Sequence, residues 1–85
     1  MEKNYEKDYI LKDLSQIVSD VLGIDDVELK EFMSAKDFEG WDSMSHTKIL
    51  YECELKWSIR LSIEELTSLR TIGDLVNILQ KKISQ

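Results

Sequence analysis

The sequence predicts an all-α fold, a small four-helix bundle with three main helices, one short third helix and a long first loop. Three observations carry this. The chain has no proline and only three glycines in 85 residues, too few turn signals for a strand-rich domain. Three segments repeat their apolar residues at helical spacing, so each has one face to bury. Helix-start residues precede those segments and a helix-stop residue follows the first. The length suits one domain over residues 1–85 with a core of about 5–83. Such a domain buries only about 60–65% of its unfolded surface, so its core is thin.

The first helix is expected from Tyr5 to Leu22. Ile10, Leu14, Ile17 and Val21 form its stripe, and Leu11, Val18 and Leu22 broaden it. Asn4 is the expected N-cap, and Gly23 stands where a left-handed residue ends a helix. Residues 24–42 have no sustained period. A loop this long inside a compact domain is usually functional. Its scattered Ile24, Val27, Leu29, Phe32, Met33, Phe38 and Trp41 are expected to pack several side chains back onto the helices, with one helical turn over 34–38.

The second helix is expected from Ser43 to Trp57. Met44, Thr47, Leu50, Cys53 and Trp57, joined by Ile49, give its inner face; His46, Lys48, Glu52 and Lys56 turn mostly to solvent. Ser58 to Leu61 alternates polar and apolar as an extended connector. Ser62-Ile63-Glu64-Glu65 matches a capping box that starts a short helix ending near Leu69. Thr71 caps the last helix, whose stripe is Ile72, Leu75, Val76, Leu79 and Ile83. Lys81 and Lys82 complement the dipole in its last turn.

Composition excludes several classes of function. Net charge is −6, so nucleic acid is not an expected partner. No apolar run reaches the roughly 18–20 residues of a membrane span, and no apolar signal segment follows the first residues. Cys53 is the single cysteine, which rules out an internal disulfide or a CxxC metal site. Together these features favour the cytoplasm. The charge is uneven: residues 25–42 hold seven acids and two bases, whereas residues 43–85 hold five acids and six bases. The acidic stretch just upstream of Ser43 is either a solvated loop or a surface that steers basic partners.

Candidate chemistry converges on residues 40–44, Gly-Trp-Asp-Ser-Met. His46, the only histidine, lies about one turn after Ser43. Asp42, Ser43 and His46 resemble a catalytic triad only superficially, because Asp42 adjoins the serine it would have to serve from the far side of the ring. The acids of the loop lack a calcium-loop pattern. Cys53 lies in an apolar stripe as a small core residue. No metal site is expected. Ser43 heads a helix, where amide hydrogens and the dipole tolerate a phosphodiester. Gly40 removes a side chain that could block an approaching protein. Asp42 is expected to support the site by orienting a partner's metal or base on the hydroxyl. The competing reading is a helical adaptor that binds partners non-covalently, with Ser43 only a helix cap.

The motif at 40–44 resembles the Asp-Ser-Leu/Met attachment motif of acyl carrier proteins and thiolation domains. The order of elements over about residues 5–83 resembles the same family. Trp57, Ile59 and Leu61 match its Phe-x-Ile-x-Ile run, and residues 71–75 match its Thr-Val-x-Asp-Leu helix start. The resemblance implies a stand-alone, monomeric carrier that performs no catalysis. It implies covalent 4′-phosphopantetheine on Ser43, placed there by a phosphopantetheinyl transferase and holding an acyl or aminoacyl group as a thioester. An acyl- or aminoacyl-activating ligase and downstream transferases or synthases are the implied partners, docking on Met44, Lys48 and Glu52. Fatty-acid, polyketide or specialised biosynthesis is the implied setting. The chain departs from the family in two ways: His46, Lys48 and Lys56 stand in a helix that is strongly acidic in fatty-acid carriers, and Thr47 replaces an apolar residue.

Overall fold

The first helix forms because residues four apart can share one buried seam. In the computed structural model, which describes residues 6–84, α1 spans Lys7–Leu22 and buries Ile10, Leu14 and Val18. Val18, expected only to broaden the stripe, is fully buried, while Ile17 and Val21 are half-buried beside it. The expected start at Tyr5 and the Asn4 cap lie outside the described residues. The helix closes at Gly23, which takes the left-handed conformation and donates its N–H to the Ser19 carbonyl at 2.8 Å.

The long loop is anchored by Leu29, which is buried, and by half-buried Val27, Met33, Phe38 and Trp41. Phe32 departs from the expectation and is 79% exposed. It sits at the corner of a turn closed by the Met33 N–H on the Lys30 carbonyl at 3.0 Å, and corner side chains point away from the chain they reverse. Ile24 is also exposed. The expected helical turn is present as a short 3₁₀ segment, Ala35–Asp37.

The second helix, α2, spans Ser43–Trp57 and buries Ile49, Leu50 and Cys53. Met44 and Thr47 do not belong to this inner face: both are exposed, Met44 by 81%. Steps of three drift around a helix that turns every 3.6 residues, so residues 44 and 47 have rotated away from the face that residues 50 and 53 share. Ser58 ends α2 in the left-handed region at φ 54°. The connector tucks Leu61 into the core, with Ile59 half-buried, and the Leu61 N–H donates to Glu54 Oε2 at 2.9 Å.

The short α3, Ile63–Thr67, ends two residues before the expected Leu69. Its capping box is reciprocal: Ser62 N–H donates to Glu65 Oε1 at 2.8 Å and Glu65 N–H donates to Ser62 Oγ at 3.1 Å. Finally α4, Ile72–Ser84, buries Ile72, Leu75, Val76 and Leu79. Thr71 Oγ accepts from the Asp74 N–H at 3.1 Å, and Asp74 Oδ2 accepts in return from the Thr71 N–H at 3.1 Å.

The architecture is all-helical, and no strand occurs among the described residues. α1 packs against both α2 and α4, so the core collects in one cluster around Leu14, Val18, Ile49, Cys53, Val76 and Leu79. The loop closes onto the start of α4. Ile72 N–H donates to the Met33 carbonyl at 2.7 Å and Gly73 N–H to the Glu31 carbonyl at 2.8 Å. A Cβ at Gly73 would lie 3.1 Å from that Glu31 oxygen, so glycine permits the close approach.

Candidate functional site

The loop delivers residues 40–44 to the start of α2 through local hydrogen bonds. Gly40 lies at φ 84°, a conformation that side chains penalise. A Cβ there would meet nothing within 4 Å. The need for glycine is therefore in the backbone; the open space in front of it is as expected for an approachable corner. The Gly40 carbonyl accepts from the Asp42 N–H at 3.0 Å and from Ser45 Oγ at 3.0 Å. This draws the chain into α2.

Asp42 is the N-cap. Its backbone is extended, and its Oδ1 accepts the Ser45 N–H at 2.9 Å. That amide bond is the main reason its carboxyl is held below the ordinary carboxylate value. One carboxylate oxygen is thus committed to the helix, and the group remains at the surface. Ser43 is the first residue of α2 and not its cap. The adaptor reading assigned Ser43 the capping role, and the structure gives that role to Asp42. Ser43 is exposed, and its hydroxyl has no hydrogen-bond partner among the described residues. Only its carbonyl is used, accepting Thr47 Oγ at 3.0 Å.

His46 is half-buried instead of solvent-facing, and its Nδ1 accepts the Trp41 indole N–H at 3.0 Å. The two rings lie 6.1 Å apart, and Trp41 packs on Phe38 at 5.6 Å. Burial lowers the pKa of His46 from its ordinary value. An Nδ1 that accepts from Trp41 places the neutral ring's proton on Nε2, leaving no free lone pair to take a proton from Ser43. With Asp42 occupied by Ser45, the triad does not assemble. Residue types alone gave no sign of the Trp41–His46 bond, because it depends on how the loop returns to α2.

Two concave surfaces meet at Ser43. One, about 580 Å³, runs between the start of α2 and the α3–α4 junction, lined by Trp41, His46, Thr47, Arg70, Ile72 and Leu75 among others. The other is a shallow apolar depression on the outer side of α2 formed by Ser43, Met44, Thr47, Lys48 and Tyr51. Met44 and Lys48 therefore share a surface with the serine. Glu52 lies off this depression: it is half-buried and, together with Lys48, lines a second depression against Ile17, Asp20 and Val21 of α1. Tyr51 and Leu55, exposed by 56% and 58%, were missed by a sequence reading that sought one apolar face on α2. Cys53 is buried as expected, and burial is the main cause that pushes its thiol up to about 12.

No family model matches the chain. It is, however, 35% identical over 77 residues to the acyl carrier protein of Rhodococcus erythropolis, covering 91% of this chain and 85% of that one. The chain belongs to the acyl carrier protein family. It is also 35% identical over 72 residues to the meromycolate extension acyl carrier protein of Mycolicibacterium smegmatis, covering 85% and 73% of the two chains. The solution structure of the holo acyl carrier protein from Geobacter metallireducens superposes with a TM-score of 0.82 at 32% identity, over 87% of this chain and 85% of that one. The acyl carrier protein of Thermotoga maritima shares the fold, with a TM-score of 0.83 at 24% identity over 98% and 96% of the chains. Acyl carrier proteins carry groups and do not transform them. No helix among the described residues is long and apolar enough to cross a membrane.

Proposed function

We propose that Ser43 carries 4′-phosphopantetheine through a phosphodiester on its hydroxyl. The observation that supports this most directly is the separation of roles at the helix start: Asp42 does the capping, and the neighbouring hydroxyl is exposed and unpartnered. The residues fit the group. The positive end of α2 suits a phosphodiester, and the open groove beside Ser43 gives room for a flexible arm. The arm supplies a terminal thiol that holds an acyl or aminoacyl group as a thioester. The chain holds and presents this group without catalysing its transformation. Ser43, Met44 and Lys48, which share one surface at the helix start, are the residues a phosphopantetheinyl transferase, an activating ligase and downstream synthases meet. Asp42, with its second oxygen at the surface, supports the transferase at the hydroxyl. The pathway is biosynthetic, of fatty-acid, polyketide or specialised type.

The test is intact mass after incubation with coenzyme A and a phosphopantetheinyl transferase. The expected result is a gain of one phosphopantetheine that Ser43→Ala removes. A gain that survives Ser43→Ala, or none in the wild type, overturns the assignment.

A further inference from the structure

The hollow between the start of α2 and the α3–α4 junction combines an apolar wall with hydrogen-bond donors that have no partner. Ala35, Leu69, Ile72 and Leu75 supply the wall, and Ile72 and Leu75 are buried. Three other lining residues each keep a donor unspent. The Nδ1 of His46 is taken by Trp41, so the Nε2–H of the neutral ring is left over. Thr71 Oγ accepts the Asp74 N–H and still has its own proton to give. Arg70 uses its backbone N–H on Asp74, while its guanidinium has no ion pair or hydrogen bond among the described residues.

Acceptors are scarcer in the hollow. Asp42 lines it next to Ser43, with one oxygen committed to the Ser45 N–H, and it forms no ion pair with Arg70 on the opposite wall. A hollow rich in donors suits a group that can only accept. A carboxylate is such a group; an ammonium is not, and a methyl end leaves the three donors unanswered. Ser43 lies on the rim of the hollow. A cargo tethered there meets it at high effective concentration, so a single charge-assisted contact suffices to hold it.

We propose that the cargo is a carboxyacyl group, with its thioester on the arm, a short run of methylenes along Ile72 and Leu75, and a carboxylate at the far end received by Arg70, the His46 Nε2–H and the Thr71 hydroxyl. This rests on Ser43 being the attachment residue. It separates acyl from aminoacyl cargo, because an ammonium in this hollow would face donors and a guanidinium of its own sign. The enzyme that loads the arm then activates one carboxyl of a dicarboxylic acid and leaves the other free.

The test loads the full chain from glutaryl-, pentanoyl- or 5-aminopentanoyl-coenzyme A with a phosphopantetheinyl transferase, confirms each product by intact mass and compares thermal melts. All three products have the same arm and phosphodiester, so only the far end of the cargo differs. The chain's net charge is −6, so an added carboxylate without a local partner does not raise the melting temperature. The expected result is a glutaryl carrier that melts about 3 °C or more above the pentanoyl carrier. Arg70→Gln abolishes that difference, and Arg60→Gln, which removes a cation outside the hollow, preserves it. Raising the salt from about 0.05 to about 0.5 M narrows the difference. The His46 ring resonances shift on glutaryl loading and not on pentanoyl loading, a second measurement that needs no variant. Three results overturn the proposal: a pentanoyl or 5-aminopentanoyl carrier as stable as the glutaryl one, His46 resonances that respond alike to glutaryl and pentanoyl, or an Arg70→Gln variant that keeps the full difference. The last includes an equal loss for all three cargoes, as a guanidinium bound to the arm's phosphate would give. A wild-type chain that gains no mass from any of the three removes the attachment assignment, and this inference with it.

Discussion

Leu50 and Tyr51 are neighbours in sequence with opposite surroundings, and this pair tests the orientation of α2. Leu50 is 6% exposed in the core, Tyr51 more than half exposed on the outer side. Leu50→Ala removes the equivalent of three methylenes, about 2.4 kcal/mol at about 0.8 kcal/mol each. Incomplete collapse of the site brings the cost to about 2–5 kcal/mol. A domain of this length has roughly 4–13 kcal/mol in total, at about 0.05–0.15 kcal/mol per residue. A loss of about 3 kcal/mol lowers the melting temperature by about 12–24 °C. Tyr51→Ala costs within about 0.5 kcal/mol, as for an exposed position. Thermal melts followed by circular dichroism at 222 nm measure both. A Leu50→Ala protein melting within about 3 °C of wild type, or a larger loss for Tyr51→Ala than for Leu50→Ala, would refute the assignment of the two faces.

Other consequences concern the site itself. Gly40→Ala forces a side chain into the left-handed region and costs about 1–2 kcal/mol, despite the open space around it; an unchanged melt would contradict the backbone argument. Burial lowers the pKa of His46 below its ordinary 6.5, so the native state takes up its proton later than the unfolded chain. Its contribution to stability is intact above about pH 6.5 and is lost as pH falls through the folded value. Over that interval the Trp41 indole N–H resonance should shift, since a protonated Nδ1 cannot accept it; a pH-independent resonance would show that the bond does not form. The Cys53 thiol, pushed up to about 12 by burial, should react with maleimide at pH 8 roughly a thousandfold slower than an exposed thiol. Rapid labelling of folded Ser43→Ala protein would count against its burial.

The helix boundaries were legible because their signals are local. Gly23 and the Ser62 capping box act within four residues of themselves, and α2 begins and ends at the expected positions. The family resemblance was legible for the same reason: its motif and order of elements are written along the chain. Rotation about the α2 axis was less so. Its apolar residues lie on both sides, and a search for one stripe merged Met44 with Leu50. The turn that exposes Phe32 and the Trp41–His46 bond depend on where the loop is pinned, which no local pattern encodes. Ser43 was a credible cap by residue type; the backbone geometry gives that role to Asp42 and leaves the serine hydroxyl free.

The two amide bonds that tie Glu31 and Met33 to the first turn of α4 join the loop to the far end of the sequence. Glu31 and Gly73 are linked across half the length of the chain, and α1 packs on α4. The loop that leads to Ser43 is thus held at two points, by the local bonds of Gly40 and Asp42 beside α2 and by the backbone of α4. A side chain at position 73 would push on the Glu31 carbonyl, so a change in the last helix is felt in the segment that leads to the serine.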